Sequence, residues 1–595
     1  KMSISSHFEL ISDRIGELSR TKTVRVSTIS LIGIYVLRKI LRMSKLKKDR
    51  VILLNKANEA LLDREDSIKW AKEQIIGISN DDRKRISIMN FEQLKDALQK
   101  NEFTCELVVR VYLSLALKSH DKTNCLTLVI KDCIERARIL DEAAKSSDYK
   151  KPPLFGIPVS IKESVSMKGF RNSWGCANQL NVIPNEDHYI VERLKECGMI
   201  PFVMTNIPTS CLTYNCDNGV WGQTTNPYNR DRTPGGSSGG EGALIGSNGS
   251  LIGIGSDLGG SSRIPASYCG CVGFRPTATR FTTFNYEEPI PCRPFLMPTE
   301  GPLGESPQAI AHILRSLWSD NYMHKKIAYC VPVPFQENLY ESGKKYKIGY
   351  FLSDSYIESL PGVKRVISEA VKLLESKGHT LVPFTLDDIP ANIMDCVNKS
   401  AMMDGGAAVH KKLREDLIPP SLIPLVSATG WSSFKKKCAG YFFKFMGDTK
   451  MAQYLLSFPG STTEVQEGID KLYSYRKEVI EKINKASIDV ILCPATVSPA
   501  LSHNLPNELP ISVVLATMFW NAMDFPAGVV PMGFWNEKDE KDLESYEAKG
   551  YMETMIKQTC KGSIGLPLAV QFVAPPYRDE LALRIMSDLF DATKK

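Results

Sequence analysis

One segment of the sequence is unusually rich in glycine. Residues 235–273 hold thirteen of the chain's 40 glycines within thirty-nine positions. Glycine has no Cβ atom, so it can adopt positive φ and allows backbone N–H groups to approach a ligand closely. Such close approach is what an oxyanion site or a phosphate site requires. This segment therefore constrains the fold most strongly and is the first candidate for a functional site.

The segment lacks the features of a phosphate site. It has no P-loop spacing with a Gly-Lys-Ser/Thr ending, and no complete GxGxxG follows a strand. It contains instead the run GGSSGG, with Ser237 in third place, and the run GGSSR, with Ser261 in third place. The two serines are twenty-four residues apart. The glycines favour an oxyanion site, and the serines are its candidate nucleophiles.

A second interpretation of the first serine stays open at this point. Residues 235–239 also satisfy GxSxG, the nucleophile elbow of α/β-hydrolases, which would make Ser237 the nucleophile and require a distant His and Asp. That interpretation does not explain the second Gly-Gly-Ser run.

The rest of the chain indicates one large α/β domain. Its 595 residues are 43% apolar and 24% charged, which is ordinary for a globular protein. Short β-prone runs alternate with helical patterns, which predicts a layered sheet. The runs predicted as strands are Gly156–Ile161, Met199–Thr205, Leu251–Gly255, Tyr346–Phe351 and Val490–Cys493.

Helices are predicted in two further places. Residues 51–147 have a helical pattern, with Asn90 and Gln93 spaced as a capping box. A second helix begins at Pro361 and ends at Gly378. The fifteen cysteines are scattered and include no CxxC pair, so neither a disulfide framework nor a zinc site is indicated. No cofactor is expected.

The N-terminal residues differ in charge from the remainder. Residues 1–50 hold twelve Lys or Arg against four Asp or Glu, around the uncharged run Val26–Leu37. A basic flank beside an apolar run indicates an anionic membrane surface rather than nucleic acid. We predict an anchor in residues 1–50, either spanning or interfacial, and a catalytic domain in residues 51–595 that faces the cytosol. A soluble packing helix is the alternative.

Three separated motifs carry a resemblance to a known family. They are the run GIPVSIKE at 156–163, the run PGGSSGGEGALIG at 234–246, and Asp257 followed by GGSSRIP at 259–265. In order and spacing they resemble the amidase signature family. The resemblance covers roughly residues 90–590 and is nearest to its fatty acid amide hydrolase branch, through residues 222–224, 524–531 and 565–567. It implies an α/β fold in which helices cover a large, mixed, twisted sheet.

The resemblance also implies roles for individual residues. Ser261 would be the nucleophile, Ser237 the bridging serine and Lys162 the base and acid. The oxyanion would be held by backbone N–H groups, those of Leu258, Gly259, Gly260 and Ser261. Asp257 and Arg263 are interpreted as structural partners in this turn. One departure is Ser262, because the family usually has an aliphatic residue beside the nucleophile.

The substrate is predicted from residues 421–458. Aromatic residues alternate there with Lys435, Lys436, Lys437 and Lys444, a pattern typical of a helix that dips into a membrane. The family's membrane-binding cap is similar in position and character, whereas a core-packing hairpin is the alternative. The residues where the family lines its acyl channel are Cys211, Leu212, Thr213 and Tyr214, together with Ser237.

These observations predict a membrane-associated hydrolase of fatty acid amides. The resemblance further implies an endoplasmic reticulum membrane and a homodimer. Three alternatives share the motifs: an amidase for small or polar amides, a glutaminase-like subunit of a transamidation complex, and a noncatalytic membrane scaffold.

Overall fold

The computed structural model describes residues 22–281, 296–353, 356–387, 389–503 and 510–594, and for 22–46, 391 and 510–513 it describes the backbone only. The chain divides into two compact units, residues 1–55 and 56–595. The predicted anchor run Val26–Leu37 belongs to the backbone-only part, inside a helix that begins at Lys22. Among the described helices, none is both long enough and apolar enough to cross a membrane.

The larger unit is built on a sheet of eleven strands. Their order across the sheet is β1-β3-β2-β4-β6-β5-β10-β11-β9-β7-β8. The strands are β1 Leu126–Val129, β2 Pro158–Lys162, β3 Ile200–Thr205, β4 Ile252–Asp257, β5 Val272–Arg275, β6 Thr299–Gly304, β7 Lys347–Tyr350, β8 Thr380–Pro383, β9 Val490–Pro494, β10 Ala527–Phe534 and β11 Pro567–Val573. All five predicted strands are present, as β2, β3, β4, β7 and β9.

The sheet is mixed. β2 is parallel to both β3 and β4, and β7 is parallel to both β8 and β9. The remaining neighbours are antiparallel. Every residue of β2, β3 and β4 is buried, as expected for strands covered on both faces. The predicted α/β class with a large mixed sheet is therefore confirmed.

Helices surround this sheet, except that residues 22–55 of the first helix belong to the smaller unit. They are α1 Lys22–Gln74, α2 Asn80–Ser87, α3 Phe91–Gln99, α4 Cys105–Thr123, α5 Cys133–Ala143, α6 Tyr189–Glu196, α7 Gly239–Gly246, α8 Arg263–Cys269, α9 Pro307–Trp318, α10 Tyr322–Lys326, α11 Glu337–Tyr340, α12 Pro361–Ser376, α13 Ile389–Ala401, α14 Ala407–Leu413, α15 Ile423–Thr429, α16 Ser433–Phe445, α17 Thr449–Leu456, α18 Thr462–Ala486, α19 Pro510–Met523, α20 Glu537–Glu544, α21 Gly550–Thr559 and α22 Asp579–Thr593.

Local sequence signals set the ends of two of these helices as predicted. Asn90 and Gln93 form the capping box of α3, in which each side chain accepts a hydrogen bond from the other residue's backbone N–H. Pro361 begins α12, and Gly378, with φ of +89°, lies two residues beyond its end. Both helices bury their apolar residues against the core.

The fold brings the two glycine-rich runs to one edge of the sheet. β2 and β4 are parallel neighbours, so their carboxyl ends, Lys162 and Asp257, lie at the same edge. α7 packs over β2, β3 and β4, and its N-terminus follows Ser237 and Ser238. The turn from 258 to 262 joins β4 to α8. The candidate site is therefore assembled from strand ends and helix starts.

Candidate active site

Lys162 is the most deeply buried of the candidate residues. Its exposed fraction is 0%, and its Nζ donates hydrogen bonds to Ser237 Oγ and Ser256 Oγ, each at 2.8 Å. Among the described residues, no carboxylate forms an ion pair with this nitrogen. Burial lowers the pKa of Lys162, because the charged ammonium loses its solvation. The site thus favours the neutral form of the Lys162 amine, which could accept a proton from the neighbouring hydroxyl of Ser237.

The two candidate serines lie in segments that touch. The N–H of Ser238 donates to the carbonyl of Ser261 at 3.0 Å. Ser237 is buried, whereas Ser261 is partly exposed. The peptide bond between Gly236 and Ser237 is cis. The structure therefore brings Lys162 and Ser237 into direct contact and places Ser261 in the adjoining turn, open to an incoming group.

Gly236 explains why the first run needs glycine. A Cβ atom here would lie 2.7 Å from the carbonyl oxygen of Thr213 and 3.1 Å from Cα of Tyr214. Because no side chain intervenes, the backbone of 213–214 packs directly against the segment that carries Ser237. This contact places the predicted channel residues beside the candidate bridging serine.

A buried ion pair fixes the turn that contains Ser261. Arg263 Nη2 lies 3.0 Å from Asp257 Oδ1, and both side chains have an exposed fraction of 0%. Burial would raise the pKa of Asp257, but the Arg263 guanidinium and hydrogen bonds from Arg263 and Asn521 hold it well below its usual range. The interpretation of Asp257 and Arg263 as structural partners is confirmed.

The same carboxylate organises the predicted oxyanion donors. Asp257 Oδ1 accepts the N–H of Gly260 at 2.8 Å, and Oδ2 accepts the N–H of Ser262 at 3.2 Å. In the described part of the chain, the N–H groups of Leu258, Gly259 and Ser261 have no acceptor. Of the four predicted donors, Gly260 is thus engaged by the protein and three stay available to a ligand.

Ser262 makes a contact that an aliphatic residue could not make. Its exposed fraction is 0%, and its Oγ donates to the carbonyl of Gly301 on β6 at 2.9 Å. A Cβ at Gly301 would lie 2.4 Å from this oxygen. The departure from the family pattern is therefore accommodated by a hydrogen bond to the sheet.

The predicted channel residues separate into two pairs. Cys211 and Leu212 pack on a small apolar cluster apart from the main core, whose buried members are Trp174, Cys176, Val409, Leu413, Leu422 and Val426. Thr213 is buried and donates to the carbonyl of Asn215, and Tyr214 is buried. Of the two pairs, Cys211 and Leu212 are the one that packs on the apolar cluster formed in part by α14 and α15.

The helix α16 presents aromatic side chains to solvent. The large apolar residues here with an exposed fraction of at least 60% are Phe434, Tyr441, Phe442, Phe445 and Met446. Residues 434, 441, 442 and 445 recur at the spacing of one helical face. This exposure disagrees with the alternative of a core-packing hairpin.

Lys436 does not belong with the other lysines of that region. Its exposed fraction is 4%, and its Nζ donates to the carbonyls of Gly405 and Thr429. The prediction that all four lysines meet headgroups is wrong at this position, because a run of three lysines on a helix spreads over different faces.

Ser256 was missed by the sequence analysis. It lies on β4 one residue before Asp257, and its hydroxyl accepts from Lys162 at the same distance as that of Ser237. A lone serine inside a strand carries no signal of its own.

The alternative in which Ser237 is the nucleophile of an α/β-hydrolase elbow is disfavoured, because among the described residues Ser237 is hydrogen bonded to a lysine and not to a histidine.

Comparison with known proteins identifies the family of this chain. Residues 107–583 match the amidase family. The chain belongs to the amidase signature family. A protein of Caenorhabditis elegans named fatty acid amide hydrolase 1 is 37% identical over 529 residues, covering 89% of this chain and 92% of the relative. A protein of Sus scrofa named fatty-acid amide hydrolase 1 is 33% identical over 513 residues, covering 85% and 86%.

Solved amidase structures share the fold. A structure of fatty acid amide hydrolase superposes with a TM-score of 0.76 at 21% identity, covering 91% of this chain and 95% of that one. A bacterial aryl acylamidase superposes with a TM-score of 0.64 at 17% identity, covering 85% and 96%. The family match and the two relatives indicate that this protein is an amide-hydrolysing enzyme rather than a noncatalytic scaffold.

Proposed function

We propose that this amidase hydrolyses fatty acid amides, including N-acylethanolamines and primary fatty amides, with a triad of Ser261, Ser237 and Lys162. The observation that carries the triad is the hydrogen bond of 2.8 Å between the buried Lys162 Nζ and Ser237 Oγ. A solvated lysine has a pKa of about 10.4, so burial is what would make this one a base near neutral pH.

The proposed reaction proceeds in two halves. Neutral Lys162 takes the hydroxyl proton of Ser237 while Ser237 takes that of Ser261, whose oxygen attacks the amide carbonyl. The ammonium of Lys162 returns a proton through Ser237 to the leaving amine, which departs and leaves an acyl-enzyme. Water then attacks the acyl group while its proton passes through Ser237 to Lys162. The ammonium returns that proton through Ser237 to the Ser261 oxygen as the bond to the acyl group breaks, which releases the fatty acid and restores the enzyme.

The backbone donors supply the remaining stabilisation. The N–H groups of Leu258, Gly259 and Ser261 lack acceptors in the described part of the chain, so they are free to bind the developing oxyanion. Each donor of this kind contributes about 3 kcal/mol to the transition state. The N–H of Gly260 is committed to Asp257, and we assign it to shaping the turn.

The preference for a lipid substrate is supported by the apolar surroundings. Cys211 and Leu212 directly precede residues 213–214, whose backbone packs against Gly236, and they pack on the apolar cluster that includes residues of α14 and α15. These helices precede α16, whose exposed aromatic residues include Phe434 and Phe445. Such a surface suits insertion into a bilayer, from which a fatty acid amide would enter. The names of the two relatives support the same substrate class.

The test is hydrolysis of amides of graded acyl length by the purified protein, compared with Ser261→Ala and Lys162→Ala. We expect both variants to lose turnover while remaining folded, and the wild type to prefer long chains. If it hydrolyses only short or polar amides, the lipid assignment fails and the small-amide alternative replaces it. If Lys162→Ala keeps the wild-type rate, the triad fails.

Membrane association has its own test. Phe434→Ser combined with Phe445→Ser should weaken sedimentation of the protein with anionic vesicles, whereas hydrolysis of a short soluble amide should not change. Lys411→Ser combined with Lys412→Ser on α14 is the matched control outside α16. Equal binding by the aromatic variant and the wild type would remove α16 from the proposed membrane surface.

A further inference from the structure

Glu241 is a carboxylic acid with no ion-pair partner among the described residues. It lies in the first turn of α7 and has an exposed fraction of 0%. Its Oε2 accepts the hydroxyl of Ser160 at 2.5 Å, and its Oε1 accepts the hydroxyl of Thr205 at 2.8 Å. Burial of an acid is costly unless hydrogen bonds or charges compensate. A residue of this kind invites a functional explanation.

Both residues that donate hydrogen bonds to Glu241, Ser160 and Thr205, are close neighbours of Lys162 in the sheet. Ser160 precedes Lys162 by two positions on β2, so the two side chains share one face of the sheet. Thr205 on β3 is the register partner of Lys162. The helix that carries Glu241, α7, begins two residues after Ser237. The Glu241 carboxylate thus connects the strand of the candidate base to the helix that follows the bridging serine.

The sheet leaves space for this carboxylate at one position. Gly253 on β4 is the register partner of Ser160. A Cβ atom at Gly253 would lie 1.9 Å from Glu241 Oε2 and 2.3 Å from Ser160 Oγ. Any other residue at 253 would expel the carboxylate. β2, β3 and β4 therefore all contribute to one seat for Glu241.

We propose that Glu241 is a positioning residue for the Lys162–Ser237 pair, and that its negative charge stabilises the ammonium form of Lys162. The proposal rests on the proposed role of Lys162 as the general base. In this role Glu241 would hold β2 and α7 at the spacing that the proton transfer needs. It would also favour the state in which Lys162 has accepted the proton from Ser237.

The charges around Glu241 agree with this assignment. The titratable groups that act on it or are acted on by it are Lys162 on β2, Cys125 before β1 and Cys271 before β5. Burial raises the pKa of Glu241 to about 7, while the hydrogen bonds from Ser160 and Thr205 and the charge of Lys162 act against this rise. Burial lowers the pKa of Lys162, and the groups that act in the opposite direction are, in decreasing order, Cys211, Asp257, Cys216 and Glu241.

The experiment uses the full chain and Glu241→Gln, which keeps the shape of the side chain and removes its charge. We would measure the rate of Ser261 phosphonylation by a fluorophosphonate as a function of pH. The acid limb of the profile should shift to lower pH by about half a unit, because Lys162 loses a stabiliser of its ammonium form. A lower rate at all pH values with an unmoved limb would reduce Glu241 to a structural residue and overturn the proposal.

Three further variants make the result interpretable. Glu553→Gln removes another buried carboxylate, which is paired with Lys450 on a different helix, and should leave the limb unchanged. Thr205→Val removes one donor to Glu241 and should shift the limb in the same direction by less, which keeps the test available if Glu241→Gln does not fold. Lys162→Ala separates the two proposals: if its rate and profile equal those of the wild type, the triad itself fails, independently of Glu241.

Discussion

Lys162 donates to Ser256 Oγ at 2.8 Å, the same distance as to Ser237 Oγ, so two serines hold one buried nitrogen. A neutral amine has two N–H donors and a single lone pair. When Ser256 accepts one N–H, the rotation of the amine is restricted, so that in the neutral form its lone pair, in place of an N–H, can face the hydroxyl of Ser237. Ser256 would thus select the orientation in which Lys162 acts as a base.

We predict that Ser256→Ala lowers kcat/KM by about fivefold, because one hydrogen bond of about 1 kcal/mol no longer orients the amine. Because Ser256 is proposed to act on the base rather than on the substrate, kcat should fall and KM should stay unchanged. Steady-state kinetics on one fatty acid amide would measure both. Ser250→Ala, which removes a buried hydroxyl bonded to the carbonyl of Ile252, is the control. Undiminished kcat in Ser256→Ala would contradict this role.

The ion pair between Asp257 and Arg263 should dominate the stability of the nucleophile turn. Arg263→Met leaves a buried carboxylate without its cation, which typically costs 3–5 kcal/mol. We expect a lower urea midpoint for this variant, and a partial recovery when Asp257→Asn is added. Equal midpoints for the single and double variants would show that the unpaired charge is not the cause.

The same pair predicts the response to acid. The pKa of Asp257 is depressed in the folded state, so the pair stabilises the protein above the ordinary aspartate pKa of about 3.9. This contribution is lost as the pH falls below that value toward the folded pKa. Compared with the wild type, the variant with both Asp257→Asn and Arg263→Met should lose less stability over this acidic range, as measured by urea midpoints. Parallel curves for the two proteins would disprove the assignment.

Ser262 offers a test in which stability and activity separate. Ser262→Val restores the usual aliphatic character but removes the hydrogen bond to Gly301, at a cost of about 1 kcal/mol. The N–H of residue 262 would still reach Asp257, so the turn should persist and kcat should change by less than about tenfold. Denaturation and kinetics on the same preparation would measure both. A collapse of kcat without loss of stability would show that the hydroxyl serves the chemistry directly.

The sequence was sufficient for five of the eleven described strands, β2, β3, β4, β7 and β9, and for the order of the motifs. β2 and β4 were predictable because continuous apolar runs identify buried strands, and the glycine runs marked the turns beside them. Ser256 could not be found in this way, since its role depends on which side chain of the neighbouring strand faces it. Lys436 was misassigned because composition does not show which residue of a lysine run turns inward. Burial and hydrogen-bond partners follow from tertiary packing, which one sequence does not display.

The last prediction concerns the cost of keeping Lys162 in the core. Burial lowers its pKa in the folded state, so below the ordinary lysine pKa of about 10.4 the unfolded chain binds more protons at this residue than the folded chain does. The buried lysine therefore lowers the free energy of unfolding by its full amount at pH values below the pKa of Lys162 in the folded state. This destabilisation decreases as the pH rises toward the pKa of Lys162 in the unfolded chain. Lys162→Met has a similar length and no charge. We expect it to abolish turnover and yet to stabilise the fold by about 1–2 kcal/mol near neutral pH, after the loss of the two hydrogen bonds to serine is included.

The signature of this effect is its pH dependence. Urea midpoints of the wild type and of Lys162→Met should be measured from about pH 6 to pH 9. They should converge as the pH increases, because the unfolded wild-type chain then binds fewer protons at Lys162 and its advantage over the folded state decreases. Lys450→Met, which removes a partly exposed lysine paired with Glu553, should show no such convergence. Two outcomes would contradict this prediction: a constant difference between the two midpoints, or a wild type that is more stable at every pH. In either case burial does not lower the pKa of Lys162 at a cost in stability, and the base of the proposed triad must be activated by some means other than burial.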